Sequence, residues 1–157
     1  MSRMRDKIID FLITIPMFDR LDASELAIIA NYMNFFELKE GETLFGEGDK
    51  GDYVSFIVEG RLDVIKDAED GQAVVLTTLG PKRVIGEMSI IDRTPRSATI
   101  RASKPTTLVT LTAQGFDMIL DTNPRIGIKI LKGLARNLSM NMRKTSSQLA
   151  DYKLTMH

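Results

Sequence analysis

The chain has 157 residues, enough for one domain, or for one domain plus a long helix. Its 21 Lys+Arg and 21 Asp+Glu balance to a formal net charge of zero, which argues against a dedicated nucleic-acid binder. It has no Cys, and its one His is the terminal His157, so disulfides, a thiol nucleophile, a His/Cys metal cage and a Ser-His-Asp triad are all excluded.

Hydrophobic residues make up 43% and charged residues 27%, values that let the chain bury a core. No apolar run reaches the roughly 20 residues of a membrane helix. The N-terminus is basic (Arg3, Arg5, Lys7) and then apolar from Ile8 to Phe18. Asp6 and Asp10 interrupt it and no small-residue cleavage site follows, so it reads as a helix of the domain. The lack of Cys is compatible with the cytoplasm, where we place the chain.

The ends read as helix. Ile8, Ile9, Leu12 and Ile13 recur at helical spacing. Asp22-Ala23-Ser24-Glu25 has the form of a capping box, an oxygen-bearing cap with Glu three residues on. Leu26, Ile29, Ala30 and Met33 then form the stripe of a helix over about Ala23–Met33.

From Phe35 to Thr110 the period changes. Short apolar or alternating runs stand at Glu42–Phe45, Tyr53–Val58, Leu62–Ile65, Val74–Leu79, Ser97–Ile100 and Thr106–Leu111. Gly, Asp, Lys and Pro separate them, with glycines 41, 46, 48, 51, 60, 71 and 80 mostly at turns. Phe56, Val58, Leu62 and Val64 alternate as one buried face requires. The expected fold class is α+β: an antiparallel, jelly-roll-like β-roll flanked by N-terminal helices and a long C-terminal helix. As one domain, it divides into helices over 1–34, the roll over 35–111 and helices over 112–154.

After the roll, Thr112 caps a short helix carrying Phe116, Ile119 and Leu120. Asn123-Pro124 restarts the chain, with Asn as cap and Pro at the first helical position. No Pro follows to Lys153, and Ile126, Ile130, Leu134, Leu138 and Met142 fall on one four-residue ridge. A helix of about 30 residues spans about 45 Å, too long to lie wholly on a core of this size. Its distal half needs a partner, most simply a second copy. Gly127 and Gly133 weaken it and mark a bend or a close crossing. Asp19–Asp70 holds 14 acids and 5 bases, and Asp121–His157 holds 2 acids and 7 bases. These are two solvated faces, or a basic helix that meets an acidic partner, another protomer or an anionic surface.

The stretch Val84–Ile100 carries the chemistry. Gly86 ends a strand and opens one helical turn, Glu87 to Ile91, whose free N–H groups make a small anion site. Thr94-Pro95 stops it, and Arg96 follows. An arginine there can hold a phosphate with two parallel hydrogen bonds. A carboxylate in the same concavity repels phosphate unless it serves another part of the ligand, and a sugar hydroxyl is the natural partner. Glu87 plus Arg96 therefore suggests a ribose phosphate. The alternative is that Glu87 and Arg96 pair with each other across the turn.

The run Gly86-Glu87-Met88-Ser89-Ile90-Ile91-Asp92-Arg93-Thr94-Pro95-Arg96-Ser97-Ala98-Thr99 resembles the phosphate-binding cassette of the cyclic nucleotide-binding domain family. Ile15-Pro16-Met17-Phe18 resembles that family's N-terminal helical motif. Gly41-Glu42, Glu47-Gly48-Asp49, Gly51-Asp52 and Glu59-Gly60 resemble its β-roll turns, and Asn123-Pro124 its junction before the C-terminal helix. The resemblance covers about residues 8 to 150. It implies that Glu87 accepts a ribose 2′-hydroxyl and that Arg96 pairs with the cyclic phosphate. Backbone N–H groups around Gly86, Met88 and Ser97–Ala98, with the Ser97 hydroxyl, complete the cradle. Ile85, Val74 and Leu76 are candidates for apolar base contacts, though strand residues are more often plain core. Asn141 and Met142 are candidates on the capping helix, Met142 also fitting a dimer seam. Ser89 stands where many members have Ala, and Ser97 where members vary between Ala, Ser and Thr.

The resemblance further implies a sensor and not an enzyme, with no cofactor and with cyclic AMP as ligand, cyclic GMP being the second candidate. A cyclic dinucleotide ranks below both. Partners are the nucleotide, a second copy through the C-terminal helix and an effector protein. Neither DNA contact nor membrane insertion is expected. The family's helix-turn-helix, kinase and channel outputs are missing from these 157 residues, so the chain is expected to be a sensor without an attached effector, or a fragment. A different reading keeps the fold as a dimerisation or partner-binding module with a vestigial pocket. A β-roll enzyme lacks the His, Cys or metal set it would need.

Overall fold

The computed structural model describes residues 2–155; His157 and Met156 lie outside the described residues. Helix α1 (Ser2–Ile13) leads through a 3-10 turn, Pro16–Phe18, to α2 (Ala23–Ala30). The capping box forms: Asp22 Oδ1 accepts from the Glu25 N–H at 2.9 Å, and Glu25 Oε1 accepts from the Asp22 N–H at 3.1 Å. Eight strands follow: β1 (Met33–Leu38), β2 (Thr43–Phe45), β3 (Tyr53–Glu59), β4 (Leu62–Asp67), β5 (Ala73–Leu79), β6 (Val84–Ile85), β7 (Thr99–Ala102) and β8 (Thr106–Thr112). Helix α3 (Glu87–Asp92) sits between β6 and β7, and α4 (Ala113–Thr122) and α5 (Pro124–Thr155) close the chain.

The strands make two four-stranded antiparallel sheets, ordered β1-β8-β3-β6 and β2-β7-β4-β5. The expected β-roll between helical ends is what the chain builds. The first sheet packs one face on the helices, where Val54, Phe56, Val109 and Leu111 meet Leu12, Phe18, Phe116 and Ile130. Its other face meets the second sheet through Ile57, Leu108, Leu62 and Ile100. Strand β3 is therefore buried on both sides, with Phe56 and its neighbour Ile57 both sealed from solvent. This corrects the expectation of one buried face: a central strand between two layers reads as a continuous apolar run.

Three further differences have local causes. Helix α2 stops at Ala30, and Met33 opens β1 instead of closing the helix. The ridge expected along α5 divides: Ile126, Ile130 and Leu134 are buried, while Met142 is exposed. Asn123 starts α5 through its carbonyl, which accepts from the Gly127 N–H at 3.1 Å, while its side-chain amide donates to Thr122 Oγ1.

Candidate functional site

A cavity of about 290 Å³ opens between the second sheet and the segment 86–98. That is near the small end of small-molecule sites. Gly86 enters it in the left-handed region at φ +78° and caps α3. A Cβ there would stand 2.1 Å from Arg96 Nη1, so only glycine lets the arginine lie across the turn. Arg93 ends α3, also left-handed at φ +55°. Thr94 N–H and Thr94 Oγ1 both donate to Asp92 Oδ1, at 3.0 and 2.8 Å, which fixes the chain as it turns into Pro95.

Arg96 is 4% exposed, unusual for a residue that carries a permanent charge. Nη1 donates to Ser89 Oγ at 3.2 Å and Nη2 to the Tyr53 carbonyl at 2.8 Å. Its Nε–H is buried and has no partner. The guanidinium lies 4.1 Å from the Phe45 ring centroid and 4.6 Å from that of Tyr53. Burial pulls its pKa below the ordinary arginine value, opposed by nearby Asp52 and Asp49. Its backbone is clasped by the acidic loop, with Arg96 N–H donating to the Asp49 carbonyl and Gly48 N–H to the Arg96 carbonyl, each 2.8 Å.

Glu87, half-buried at the start of α3, lines the same cavity. Burial pushes its carboxyl above the usual glutamate value; its own backbone N–H and the charge of Arg83 act the other way. No ion pair among the described residues joins Glu87 to Arg96, so the alternative of a simple pair across the turn is not what the chain builds. Both residues line one cavity, a carboxylate at one point and a buried guanidinium at the other.

Of the residues singled out in the sequence, Ile85, Gly86, Glu87, Met88, Ser89, Arg96, Ser97 and Ala98 all line this cavity. Met88 stands exposed at its rim. Val74 and Leu76 do not line it: β5 is an edge strand and these two side chains are solvent-exposed, so they are neither wall nor core. Asn141 and Met142 are also outside it, on the exposed distal part of α5. The apolar wall comes instead from Phe45, Val64, Leu79, Val84 and Ile100, on five different strands. The only signal for Phe45 in the sequence is its place beside the acidic glycine loop. Among the described residues no cluster of three His, Asp or Glu side chains is placed to hold a metal ion. No described helix is long and apolar enough to cross a membrane.

Residues 35–123 match the family model for the cyclic nucleotide-binding domain. The chain is 29% identical over 139 residues to a CRP-like cAMP-activated global transcriptional regulator of Mycobacterium tuberculosis, a match covering 88% of this chain and 60% of that protein. It is 33% identical over 132 residues to a cAMP-dependent protein kinase regulatory subunit of Mycosarcoma maydis, covering 81% of this chain and 25% of that one. The chain thus spans less than two thirds of the first relative and a quarter of the second. Among solved structures, a cyclic nucleotide-binding domain from Methylobacillus flagellatus superposes with a TM-score of 0.84 at 29% identity, covering 96% of this chain and 85% of the other.

Proposed function

Because the chain belongs to the cyclic nucleotide-binding domain family, we propose that its cavity binds a cyclic nucleotide, cyclic AMP ahead of cyclic GMP, as the input of a regulatory sensor. The observation that carries this reading is the buried, charged Arg96, which lines the cavity together with Glu87 and whose sealed Nε–H has no partner. A buried polar donor without a partner is costly. An anion that accepts from it removes that cost, and a singly charged cyclic phosphate matches the single cation. Glu87 would accept a hydroxyl of the ribose, and the wall of Val64, Leu79 and Ile100 would take the base. Cyclic AMP ranks first because the two sequence relatives named above are a cAMP-activated regulator and a cAMP-dependent kinase subunit. Binding, rather than catalysis, is the proposed role, and the cytoplasm the proposed setting.

The output is assigned to α5. Its first turns are docked by Ile126, Ile130 and Leu134, while residues 140–154 are exposed. Ile128, Leu131, Ala135, Leu138, Met142, Thr145 and Leu149 alternate by three and four residues on a face other than the docked one. That 3.5-residue period is a two-stranded seam, and its occupant is a second copy of the chain. Ligand would shift an existing balance of α5 positions and so change what the dimer presents to an effector.

Calorimetric titration of nucleotide-free protein with cyclic AMP and cyclic GMP tests the assignment. Micromolar or tighter binding of one is expected. Arg96→Ala should weaken it at least about 30-fold, the scale for losing one partner of a buried charged pair. An Arg96→Ala protein that binds like wild type overturns the reading. Absence of binding by the folded wild type moves the function to α5 alone, as a dimerisation or partner-binding module.

A further inference from the structure

We propose that Phe45 and Tyr53 are positioning residues for the anion site: their rings hold the Arg96 guanidinium in the cavity wall before any ligand arrives. This rests on the reading of Arg96 as the phosphate partner. The starting point is an imbalance. Arg96 is charged and buried, yet none of the ion pairs among the described residues includes it. Its side chain donates only to neutral oxygens, Ser89 Oγ and the Tyr53 carbonyl. Besides the more distant charges of Asp52 and Asp49, two aromatic rings lie against it. The rings of Phe45 and Tyr53 stand 6.3 Å apart at 71°, forming a corner, and Arg96 Cζ sits 4.1 and 4.6 Å from their centroids. A guanidinium over a ring face is held by the ring's quadrupole, and more strongly when desolvated.

The direction of that hold matters. A carboxylate partner would take the in-plane N–H edge, the same edge a phosphate needs, and ligand would have to displace it. A ring does not take up an N–H as a carboxylate does, so it holds the charge without using the hydrogen bonds an anion needs. Of the five N–H bonds, Ser89 Oγ and the Tyr53 carbonyl take one each, and the buried Nε–H has no partner. The rings thus stabilise the charge without competing with the ligand.

The placement also follows from the chain. Phe45 is the last residue of β2 and Tyr53 the first of β3. The loop between them clasps the Arg96 backbone through Gly48 and Asp49. One segment, 45–53, therefore holds both the backbone and the side chain of the same arginine, and Gly86 leaves room for Nη1 on another side.

The test joins side-chain NMR of the ligand-free protein to cyclic AMP calorimetry. In wild type, the Arg96 guanidinium protons should be shifted upfield by the ring currents and exchange slowly. Tyr53→Leu and Phe45→Leu keep apolar bulk but remove one ring each. Each should move those resonances toward ordinary arginine values and weaken cyclic AMP about five- to tenfold. Tyr53→Phe, which keeps the ring, should restore both. Absence of the upfield shift in wild type overturns the proposal without any variant. So do Leu variants, matched to wild type in melting temperature, that bind as tightly, or a Tyr53→Phe protein that stays weak. A wild type that binds no cyclic nucleotide overturns the proposed function instead. The holding role of the rings then stands or falls on the ring-current shift alone.

Discussion

Glu87 carries its charge into a wall that disfavours it, and the chain gains nothing from this until a ligand hydroxyl arrives. Burial raises the carboxyl pKa, so the folded state holds the proton more tightly than the unfolded one. Stability then falls as pH rises from the ordinary glutamate range through the raised value, and at neutral pH the ionised side chain is a net cost. Glu87→Gln should therefore raise the unfolding temperature of the ligand-free protein at pH 7. The gain should vanish near pH 4, where Glu87 is protonated. The same substitution should weaken cyclic AMP by about tenfold or more, the scale of a hydrogen bond to a charged acceptor. Scanning fluorimetry and calorimetry on one preparation check both signs, and a variant less stable than wild type at pH 7 would show that Glu87 is compensated after all. Most of the cavity-lining polar residues were legible because Gly86–Ala98 is continuous in sequence and its residue types are chemically unusual together. Phe45, Val64, Leu79 and Ile100 were not, because strands distant in sequence bring them in and apolar strand residues look alike.

At the level of elements, α5 is fastened to the N-terminal turns more closely than its apolar pattern suggests. Lys129 Nζ reaches both carboxylate oxygens of Glu25, at 2.8 and 2.9 Å, and Arg136 reaches Asp19 at 3.4 Å. Between them Gly133 lies against the Met17 carbonyl, where an added Cβ would be 2.3 Å from the oxygen. Helix propensity alone makes Gly133→Ala stabilising by about 1 kcal/mol. The backbone contact reverses the sign, because neither main chain can yield cheaply, and overpacking costs about 1–3 kcal/mol. At Gly127 the nearest obstacle is the end of the Leu120 side chain, at 2.4 Å, which can turn away. Denaturant unfolding should accordingly show Gly133→Ala clearly destabilised and Gly127→Ala much less so; equal effects would mean that the crossing at Met17 is loose. The two glycines were visible in the sequence, but only the tertiary contact tells a crossing from a neutral site. Strand β1 shows the opposite failure. Met33 continues the helical spacing of Ile29 and Ala30, and no Gly or Pro marks the change to strand after Asn31. Pairing of Met33 with Leu111 decides the matter, and that partner is far away in sequence.

For the whole molecule, the proposed seam along the exposed part of α5 would set the oligomeric state. Met142 and Leu149 are 70% and 55% exposed, so changing them to Glu leaves the folded domain intact. The double substitution Met142→Glu, Leu149→Glu should turn a dimer into a monomer in sedimentation at micromolar concentration, with an unchanged melting temperature. A wild type that is already monomeric would remove the second copy from the proposal. The division of α5 into a docked root and a projecting shaft also makes it a lever. Leu154 lies about 20 residues beyond Leu134, a reach of roughly 30 Å. A tilt of about 10° at the root carries the tip about 5 Å, close to one helical pitch. That displacement is sideways, so a small adjustment where Gly133 rests on Met17 reaches the far end as a swing about half a helix diameter wide, enough to part or close whatever packs against the tip.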